Sequence, residues 1–344
     1  VKISGGKFDI SAGTNGIKST NTETSDKGFI SVTGGSFTVV ANNDAFEAET
    51  VLSIEGGSFD ITTGGGSANA SMKSDGTPNS DWQNNMGNGG GGPNGMGRPD
   101  DNGNGTGGEP PAMPTADSTG LTIETAAANT TTDSTDTTDN TSTSAKALKA
   151  GNEVNISGGE FKIDSADDSV HSNGNIVITG GNISVASGDD GMHANGNLTI
   201  SDGTVDITKS YEGIEGSIVT IDGGTISVVA SDDGINCAGG SDTGSTDRMG
   251  ADQFSSQDGV ELNINGGTIT IDAEGDGLDS NGNFTMAGGT VYVCGPTNGG
   301  NGALDYNGTA TVTGGTLIAC GAVGMEEGFG DNSTQYSVCL LYTS

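Results

Sequence analysis

The stretch that decides the fold is residues 175–196, which read NIVITGGNISVASGDDGMHANG. On each side of the Gly-Gly pair, Ile and Val alternate with Ser, Thr or Asn, which is the period-2 pattern of a β-strand with one buried face. Gly and Asn at the junctions suit the positive-φ backbone of tight corners. No segment of the chain shows a helical period, so the sequence predicts an all-β protein.

The same unit recurs along the chain, and a diglycine marks each copy. The pairs begin at Gly5, Gly34, Gly56, Gly158, Gly180, Gly223, Gly266, Gly288 and Gly314, and Asp202-Gly203 is a variant of the turn. Successive steps between positions 158 and 223 are 22, 22 and 21 residues. One unit cannot bury its apolar face alone and must stack on neighbours about 4.8 Å away. We therefore predict a right-handed, single-stranded parallel β-helix of about ten coils.

The second residue after each diglycine is apolar in every unit. These residues are Phe8, Phe37, Phe59, Phe161, Ile183, Val205, Ile226, Ile269, Val291 and Leu317. We predict that they form an internal stack of core side chains and not an aromatic platform for sugar rings.

Two insertions interrupt the repeat. Residues 64–143 are rich first in Gly, Asn, Met and Pro and then in Thr, Ser and Asp. Such compositions cannot bury a core, so they predict a flexible loop. A shorter insertion spans 240–257. We predict one β-helix domain over 1–330 and a non-repeat tail over 331–344, whose last seven residues resemble translated adapter sequence and receive no functional role.

The charge of the chain limits its partners. It has 45 acidic and 11 basic residues in 344, for a formal net charge of −34. This excess excludes nucleic acid, because phosphate binding needs Lys and Arg, and it favours cations. No run of 18 apolar residues occurs, so no membrane span is predicted. Because Val1 already lies inside a coil, we expect that the natural start of the chain, with a signal peptide, is missing.

The four cysteines are too few for a disulfide scaffold. Cys294 and Cys320 each lie five residues after the second glycine of their turn, so we predict that they stack in neighbouring coils. That spacing is compatible with a disulfide and equally with a buried ladder of two thiols.

The acidic residues of the coils recur in one register, at the third corner of each coil. Stacking predicts one column of Asp168, Asp190, Glu212, Asp233 and Asp276. A second column, three residues further on, contains His171, His193, Glu215, Asn236, Asp279 and Asp305. Two carboxylates about 5 Å apart repel by about 3 kcal/mol at an effective dielectric constant near 20. Such a column must be protonated, spread into solvent or bridged by cations.

Calcium is the cation that these columns favour, because it takes about six to eight oxygen ligands from carboxylates, carbonyls and water. The predicted ligands are Asp167, Asp168, Asp189, Asp190, Glu212, Glu215, Asp232, Asp233, Asp276 and Asp279. A solvated acidic edge that keeps the solenoid soluble is the alternative. The two histidines are also compatible with a transition-metal site. The alternative for both is simple hydrogen bonding at the surface.

Four stretches carry a resemblance to a known family. They are DDGIN at 232–236, INGGTITIDAEGDGLDSNGN at 264–283, GGTVYVCGP at 288–296 and GALDYNG at 302–308. They resemble the carbohydrate-binding β-helix family of clostridia and related Gram-positive bacteria, well over about 152–330 and through the repeat alone over 1–63. The resemblance implies a secreted or cell-surface protein with a pectate-lyase-like fold that binds cellulose or pectic polymers. It also implies calcium at the Asp-Asp-Gly-like corners.

The first functional hypothesis is an extracellular, non-catalytic protein that binds plant cell-wall polysaccharide with Ca²⁺ at the acidic corners. A solenoid offers a long regular face that matches an extended polymer. Residues predicted to contact the ligand are His171, His193, Asn236, Asp305, Tyr211 and Tyr306. No catalytic residue is predicted, and we expect a monomer.

Two alternatives remain open on sequence. A pectate lyase would need Ca²⁺ and a Lys base, and Lys146 and Lys149 fall in the acidic columns one coil before Asp168 and His171. Charge compensation inside the columns explains the same two lysines. A structural adhesin or surface stalk is the other alternative, and the sequence does not separate it from a binding protein.

Overall fold

The computed structural model describes residues 1–22, 27–70, 144–238, 256–323 and 327–340. Over these ranges the chain forms a parallel β-helix, as the repeat predicts. Each coil contributes a first strand before the diglycine turn, a second strand after it, and a short third strand at the next corner. One 3₁₀ turn, Ser67–Asn69, is the sole helical element of the described residues.

The second strands form one parallel sheet of 10 strands, which gives the number of coils. They are β2 (Lys7–Ala12), β5 (Ser36–Ala41), β8 (Ser58–Thr63), β11 (Glu160–Ser165), β14 (Asn182–Ser187), β16 (Thr204–Lys209), β18 (Thr225–Ala230), β21 (Thr268–Ala273), β24 (Thr290–Cys294) and β27 (Thr316–Cys320).

The first and third strands form two further ladders. The first strands are β1 (Lys2–Ile3), β4 (Ile30–Val32), β7 (Val51–Ile54), β10 (Glu153–Ile156), β13 (Asn175–Ile178), β20 (Glu261–Ile264), β23 (Asn283–Met286) and β26 (Ala310–Val312). The third strands are β3 (Ile17–Ser19), β6 (Phe46–Ala48), β9 (Leu148–Ala150), β12 (Val170–Ser172), β19 (Ile235–Cys237), β22 (Leu278–Ser280) and β25 (Leu304–Tyr306). In mid-solenoid, β15 (Met192–Ile200) and β17 (Ile214–Ile221) each run through a third strand into the next first strand, which joins both ladders into one 17-stranded sheet.

Alternation along the second strands decides which side chains fill the core. In β5 and β8, exposed and buried residues alternate, and the Phe side chains point inward. The ring of Phe37 lies 4.8 Å from those of Phe8 and Phe59, and Phe161 continues the stack 4.6 Å beyond Phe59. The predicted internal stack is therefore confirmed. The aliphatic residues that extend it are Ile183, Val205, Ile226, Ile269, Val291 and, at the partly buried end, Leu317.

The second glycine of the turn is required by both conformation and space. Gly57 has a φ of 123°. A Cβ atom there would lie 3.0 Å from the carbonyl oxygen of Gly35 in the preceding coil and 3.1 Å from the Phe59 ring. A larger residue would therefore strain the backbone and press the coils apart.

The solenoid continues across the first insertion without a change of register. Phe59 in β8 pairs directly with Phe161 in β11. The Thr63 hydroxyl, where β8 ends, donates a hydrogen bond to the Ala145 carbonyl oxygen at 2.5 Å, where the coil resumes. Residues 71–143 and 239–255, which make up most of the two predicted loops, lie outside the described residues. The predicted domain organisation stays a prediction.

The chain beyond the last coil covers an open strand edge. The Gly330 amide donates to the Ala310 carbonyl oxygen at 2.8 Å, and the Thr334 amide donates to that of Val312 at 3.0 Å. Residues 330–334 therefore satisfy backbone groups of β26 that would otherwise be left at the edge of the ladder. No helix among the described residues is long and apolar enough to cross a membrane.

Replacing Phe59 with Ala should lower the free energy of unfolding by about 3–5 kcal/mol, because it removes a buried ring that stacks on both faces. Phe8→Ala is the matched control, since Phe8 has a ring neighbour on one side and is only partly buried. Urea unfolding of both variants measures the difference. Equal losses for the two would contradict a continuous internal stack.

Candidate functional site

The third corners bring the charged residues into two columns, in the register that the repeat predicts. The corner column lies just before the third strands and contains Asp44, Lys146, Asp168, Asp190, Glu212, Asp233 and Asp276. The strand column lies on the third strands and contains, residue paired with residue, Lys18, Glu47, Lys149, His171, His193, Glu215, Asn236, Asp279 and Asp305. Asp168 is 0% exposed and His193 1%, so these two residues lie below the surface and not along a solvated edge.

Corner carboxylates hold consecutive coils together. Oδ1 of Asp168 accepts a hydrogen bond from the Asp190 amide at 3.1 Å, and Oδ1 of Asp190 accepts one from the Glu212 amide at 3.2 Å. The same bond joins Asp233 to the Asp276 amide at 2.6 Å. Sequence reasoning missed this role, although Asp at a turn is a known signal for hydrogen bonding to nearby backbone. One oxygen of each of these carboxylates is therefore already occupied by the fold.

In the first half of the columns, side-chain cations neutralise the acids. Lys146 Nζ lies 2.5 Å from Oδ2 of Asp168 and 2.9 Å from Oδ1 of Asp167. Nδ1 of His171 lies 2.8 Å from the same Asp168 oxygen. Earlier coils add the pair Lys18–Glu47, at 2.8 Å.

These pairs control the protonation of both partners. Burial acts to lower the pKa of Lys146, but the charges of Asp168 and Asp167 outweigh burial and raise that pKa above its usual value. Burial acts to raise the pKa of Asp168, but Lys146 and the imidazole of His171 hold it well below its usual range. Lys146 is therefore a permanent ammonium ion at neutral pH. It does not suit the general-base role that the lyase hypothesis would give it.

His193 is the next internal cation. Its Nδ1 lies 2.6 Å from Oε2 of Glu215 and 3.1 Å from Oδ2 of Asp190. Burial acts against the imidazolium, but hydrogen bonds to Asp190 and Glu215 raise the pKa of His193 to about 12. The ring stacks on that of His171 with centroids 5.1 Å apart. Both histidines are buried and hydrogen-bonded. They therefore stabilise the fold and are poorly placed to contact a polymer.

The second half of the columns is built almost entirely of side chains that end in oxygen atoms. One oxygen each from Asp233, Asp276 and Asp279 lies within 4.8 Å of the others, and all three residues are half-buried. Burial and the charges of Asp279, Asp232 and Asp276 raise the pKa of Asp233 well above its usual value. Burial, together with nearby Asp305 and Asp232, raises the pKa of Asp276 to about 6. The sequence has no lysine or histidine after Lys209, and its one later base, Arg248, lies outside the described residues.

Asn236 adds a neutral oxygen to the same region. It occupies the strand column directly beside Asp279. Its Nδ2 donates to Oε2 of Glu212 at 3.0 Å. Its buried Oδ1 accepts no hydrogen bond from the residues that the structure describes. A buried amide oxygen in this state costs free energy unless a donor or a cation meets it.

The last coil extends the acidic region with a residue that the repeat did not reveal. Oε2 of Glu327 accepts a hydrogen bond from the Tyr306 amide at 3.1 Å, beside the half-buried Asp305. Burial first, and then Asp305 and Asp276, raise the pKa of Glu327. Glu327 follows the last diglycine unit, so spacing gave no signal for it.

Tyr211, also half-buried, joins the corners through its backbone amide, which donates to the Asp189 carbonyl oxygen at 2.7 Å.

The chain matches a family model over most of its length. A family model described as carbohydrate-binding domain-containing protein matches residues 1–191 and 192–302. No curated protein and no solved structure matches the chain.

Lys146→Met should destabilise the protein by about 3–5 kcal/mol, because it leaves the buried Asp168 carboxylate without its ammonium partner. Lys162→Met is the control, since Lys162 is exposed on β11, and it should change the free energy of unfolding by less than about 0.5 kcal/mol. Adding Asp168→Asn to Lys146→Met should recover part of the loss. If the two single lysine variants unfold at the same urea concentration, the internal ion pair contributes nothing.

The stability difference between the protein and Asp276→Asn should depend on pH. The folded-state pKa of Asp276, about 6, lies above its ordinary 3.8, so its contribution is fully present below about pH 4 and is lost as pH rises through 6. In chelator, the free energy of unfolding of the parent protein should therefore fall by about 1–2 kcal/mol relative to that of Asp276→Asn between pH 4 and 7, after allowance for solvent screening. Thermal unfolding across that range tests this. A pH-independent difference would mean that Asp276 ionises as it does in water.

Proposed function

We propose that this chain, which belongs to the carbohydrate-binding domain-containing family, is an extracellular, non-catalytic protein that binds plant cell-wall polysaccharide with Ca²⁺ at its acidic corners. Family membership supports the carbohydrate part of this function. The observation that carries the calcium part is the half-buried cluster of Asp233, Asp276 and Asp279.

The donor set of this cluster fits a hard cation. Carboxylate oxygens and the buried Oδ1 of Asn236 are the ligand types that Ca²⁺ takes. Asp233 and Asp276 have raised pKa values because burial and neighbouring carboxylates oppose their ionisation. A divalent cation relieves that opposition, so binding would be favourable at neutral pH and would weaken in acid.

The first half of the columns fits a cation poorly. Sequence reasoning also gave calcium ligands in this half, namely Asp167, Asp168, Asp189, Asp190 and Glu215. Lys146 and His193 already supply positive charge to four of them, and Asp189 is grouped with Asp167 and Asp168 beside Lys146. A calcium ion there would have to displace a buried ammonium or imidazolium group. We therefore assign the calcium-binding role to Asp233, Asp276 and Asp279, with Asn236 as a neutral ligand and Asp232 and Glu212 beside them.

Calcium at this position would supply the positive charge that an acidic sugar needs. The chain carries a formal charge of −34 and would repel a uronate polymer without a counterion. Because the three aspartates are half-buried and not sealed, a carboxylate of the polymer can reach an ion held there. Among the residues predicted to touch the ligand, Asp305, Tyr306 and Tyr211 are the partly exposed ones.

Calcium should raise the midpoint of thermal unfolding relative to chelator, since a ligand of the native state stabilises it by mass action. At a calcium concentration 100 times the dissociation constant, the gain is about 2.7 kcal/mol. Asp233→Asn should abolish most of the response. Asp60→Asn, which changes an exposed carboxylate on β8, should keep it. If calcium leaves the midpoint unchanged in the parent protein and in both variants, the protein has no calcium site.

Retention on immobilised polygalacturonate should require calcium and should be lost in Asp233→Asn but not in Asp60→Asn. Retention on cellulose, measured in parallel, separates a neutral polymer from an acidic one. A protein that calcium stabilises but that binds neither polymer would instead be a structural adhesin. Steady growth of unsaturated-product absorbance on pectate would overturn the non-catalytic part of the proposal.

A further inference from the structure

Two thiols stack on the outer face of the last two second strands. Cys294 ends β24 and Cys320 ends β27, and the two residues are register partners in the parallel ladder. Both side chains are exposed. The Cys320 thiol donates to the Val293 carbonyl oxygen at 3.4 Å, which directs its sulfur along the preceding coil, towards Cys294.

We propose that Cys294 and Cys320 are a site of oxidative cross-linking, at which a disulfide ties the terminal coil of the solenoid to the coil before it. Paired residues of neighbouring parallel strands lie about 4.8 Å apart. Disulfides span Cα separations of about 4.4–6.8 Å, so the spacing of these paired strands falls within the range of a disulfide.

The site is open to a small oxidant. The two cysteines line a surface depression together with the turn of Gly295, Pro296 and Thr297. The other two cysteines are differently placed. Cys237 is 0% exposed, and burial raises its pKa, so it is unreactive. Cys339 is exposed but lies outside the ladder, which makes it the natural competitor in a test.

A small-molecule disulfide such as oxidised glutathione supplies the oxidant. The Cys320 thiolate attacks one of its sulfurs, a mixed disulfide forms, and the first glutathione leaves as a thiolate. The Cys294 thiolate then attacks Sγ of Cys320, the Sγ–Sγ bond forms, and the second glutathione leaves. Two cysteine thiols are oxidised and one glutathione disulfide is reduced, and the leaving thiolates take up the two protons. Neighbouring Cys320 first, then burial and Asp272, raise the pKa of Cys294.

The cross-link would act where the solenoid is weakest. Among the described residues, β27 has a neighbouring strand on one side only, so local unfolding should start there. β27 is mostly exposed, and its core residue Leu317 is only partly buried. A covalent bond to β24 removes the freedom of this coil to detach.

The test uses the full chain, reduced and then incubated with oxidised glutathione. We expect Cys294 and Cys320 to lose their free thiols with no glutathione retained on either, while the exposed Cys339 is free to carry glutathione of its own. The digest should contain a peptide that joins Cys294 to Cys320, and β27 should show slower amide exchange with a higher thermal midpoint. Cys339→Ser should behave in the same way. Cys294→Ser should stop at the mixed disulfide, with one glutathione held on Cys320, because the resolving thiol is gone.

Three results would overturn the inference. Cys294 and Cys320 could both remain reduced while Cys339 reacts, each could retain its own glutathione, or Cys339 could replace one of them in the cross-linked peptide. None of these readouts depends on carbohydrate or calcium binding, so the inference stands or falls separately from the proposed function.

Discussion

Register between coils is the constraint on which the rest of this structure depends. Each side chain lies about 4.8 Å from the side chain at the same position of the next coil. For Phe8, Phe37, Phe59 and Phe161 this repetition is favourable, since identical rings stack face to face. For carboxylates it is unfavourable, by about 3 kcal/mol for each adjacent pair at an effective dielectric constant near 20. One geometric rule thus stabilises the core and creates an electrostatic problem at the corner.

The two halves of the corner columns answer that problem differently. In the first half, Lys146 pairs with two carboxylates of the next coil, and His193 pairs with Asp190 of its own coil and Glu215 of the next. In the second half, Asn236 replaces one charge, and burial keeps Asp233 and Asp276 partly protonated. The first half therefore carries its own counterions, and the second half depends more on protons or on an added cation. The last lysine or histidine in the sequence is Lys209, so the boundary between the two halves can be located from the sequence alone.

The repeat predicted the fold because the 22-residue step and the period-2 alternation are linear properties of the sequence. It placed Phe59 against Phe161 across an insertion of about eighty residues, and it aligned Asp190 with Asp168. It did not predict that Oδ1 of Asp168 accepts a backbone hydrogen bond, since that depends on side-chain rotamers. It also gave no reason to expect His193 to be buried. Glu327 was missed because it reaches the site from outside the repeat.

Stability along this solenoid should consequently be uneven. Coils in such a stack contact only their immediate neighbours, so a local electrostatic cost is not spread over the whole molecule. Lys146 and His193 stay charged over the neutral pH range, since carboxylates raise the pKa of Lys146 and the pKa of His193 is about 12. Burial and neighbouring carboxylates nevertheless also raise the pKa of Asp190 in the coil of His193. Coils that contain Asp233 and Asp276 lose stability when those groups ionise. A cation bound there would restore that stability in the half of the solenoid that also ends at the mostly exposed strand β27. Ion binding and the integrity of the terminal coils would then be coupled through the stack itself, with no separate moving part.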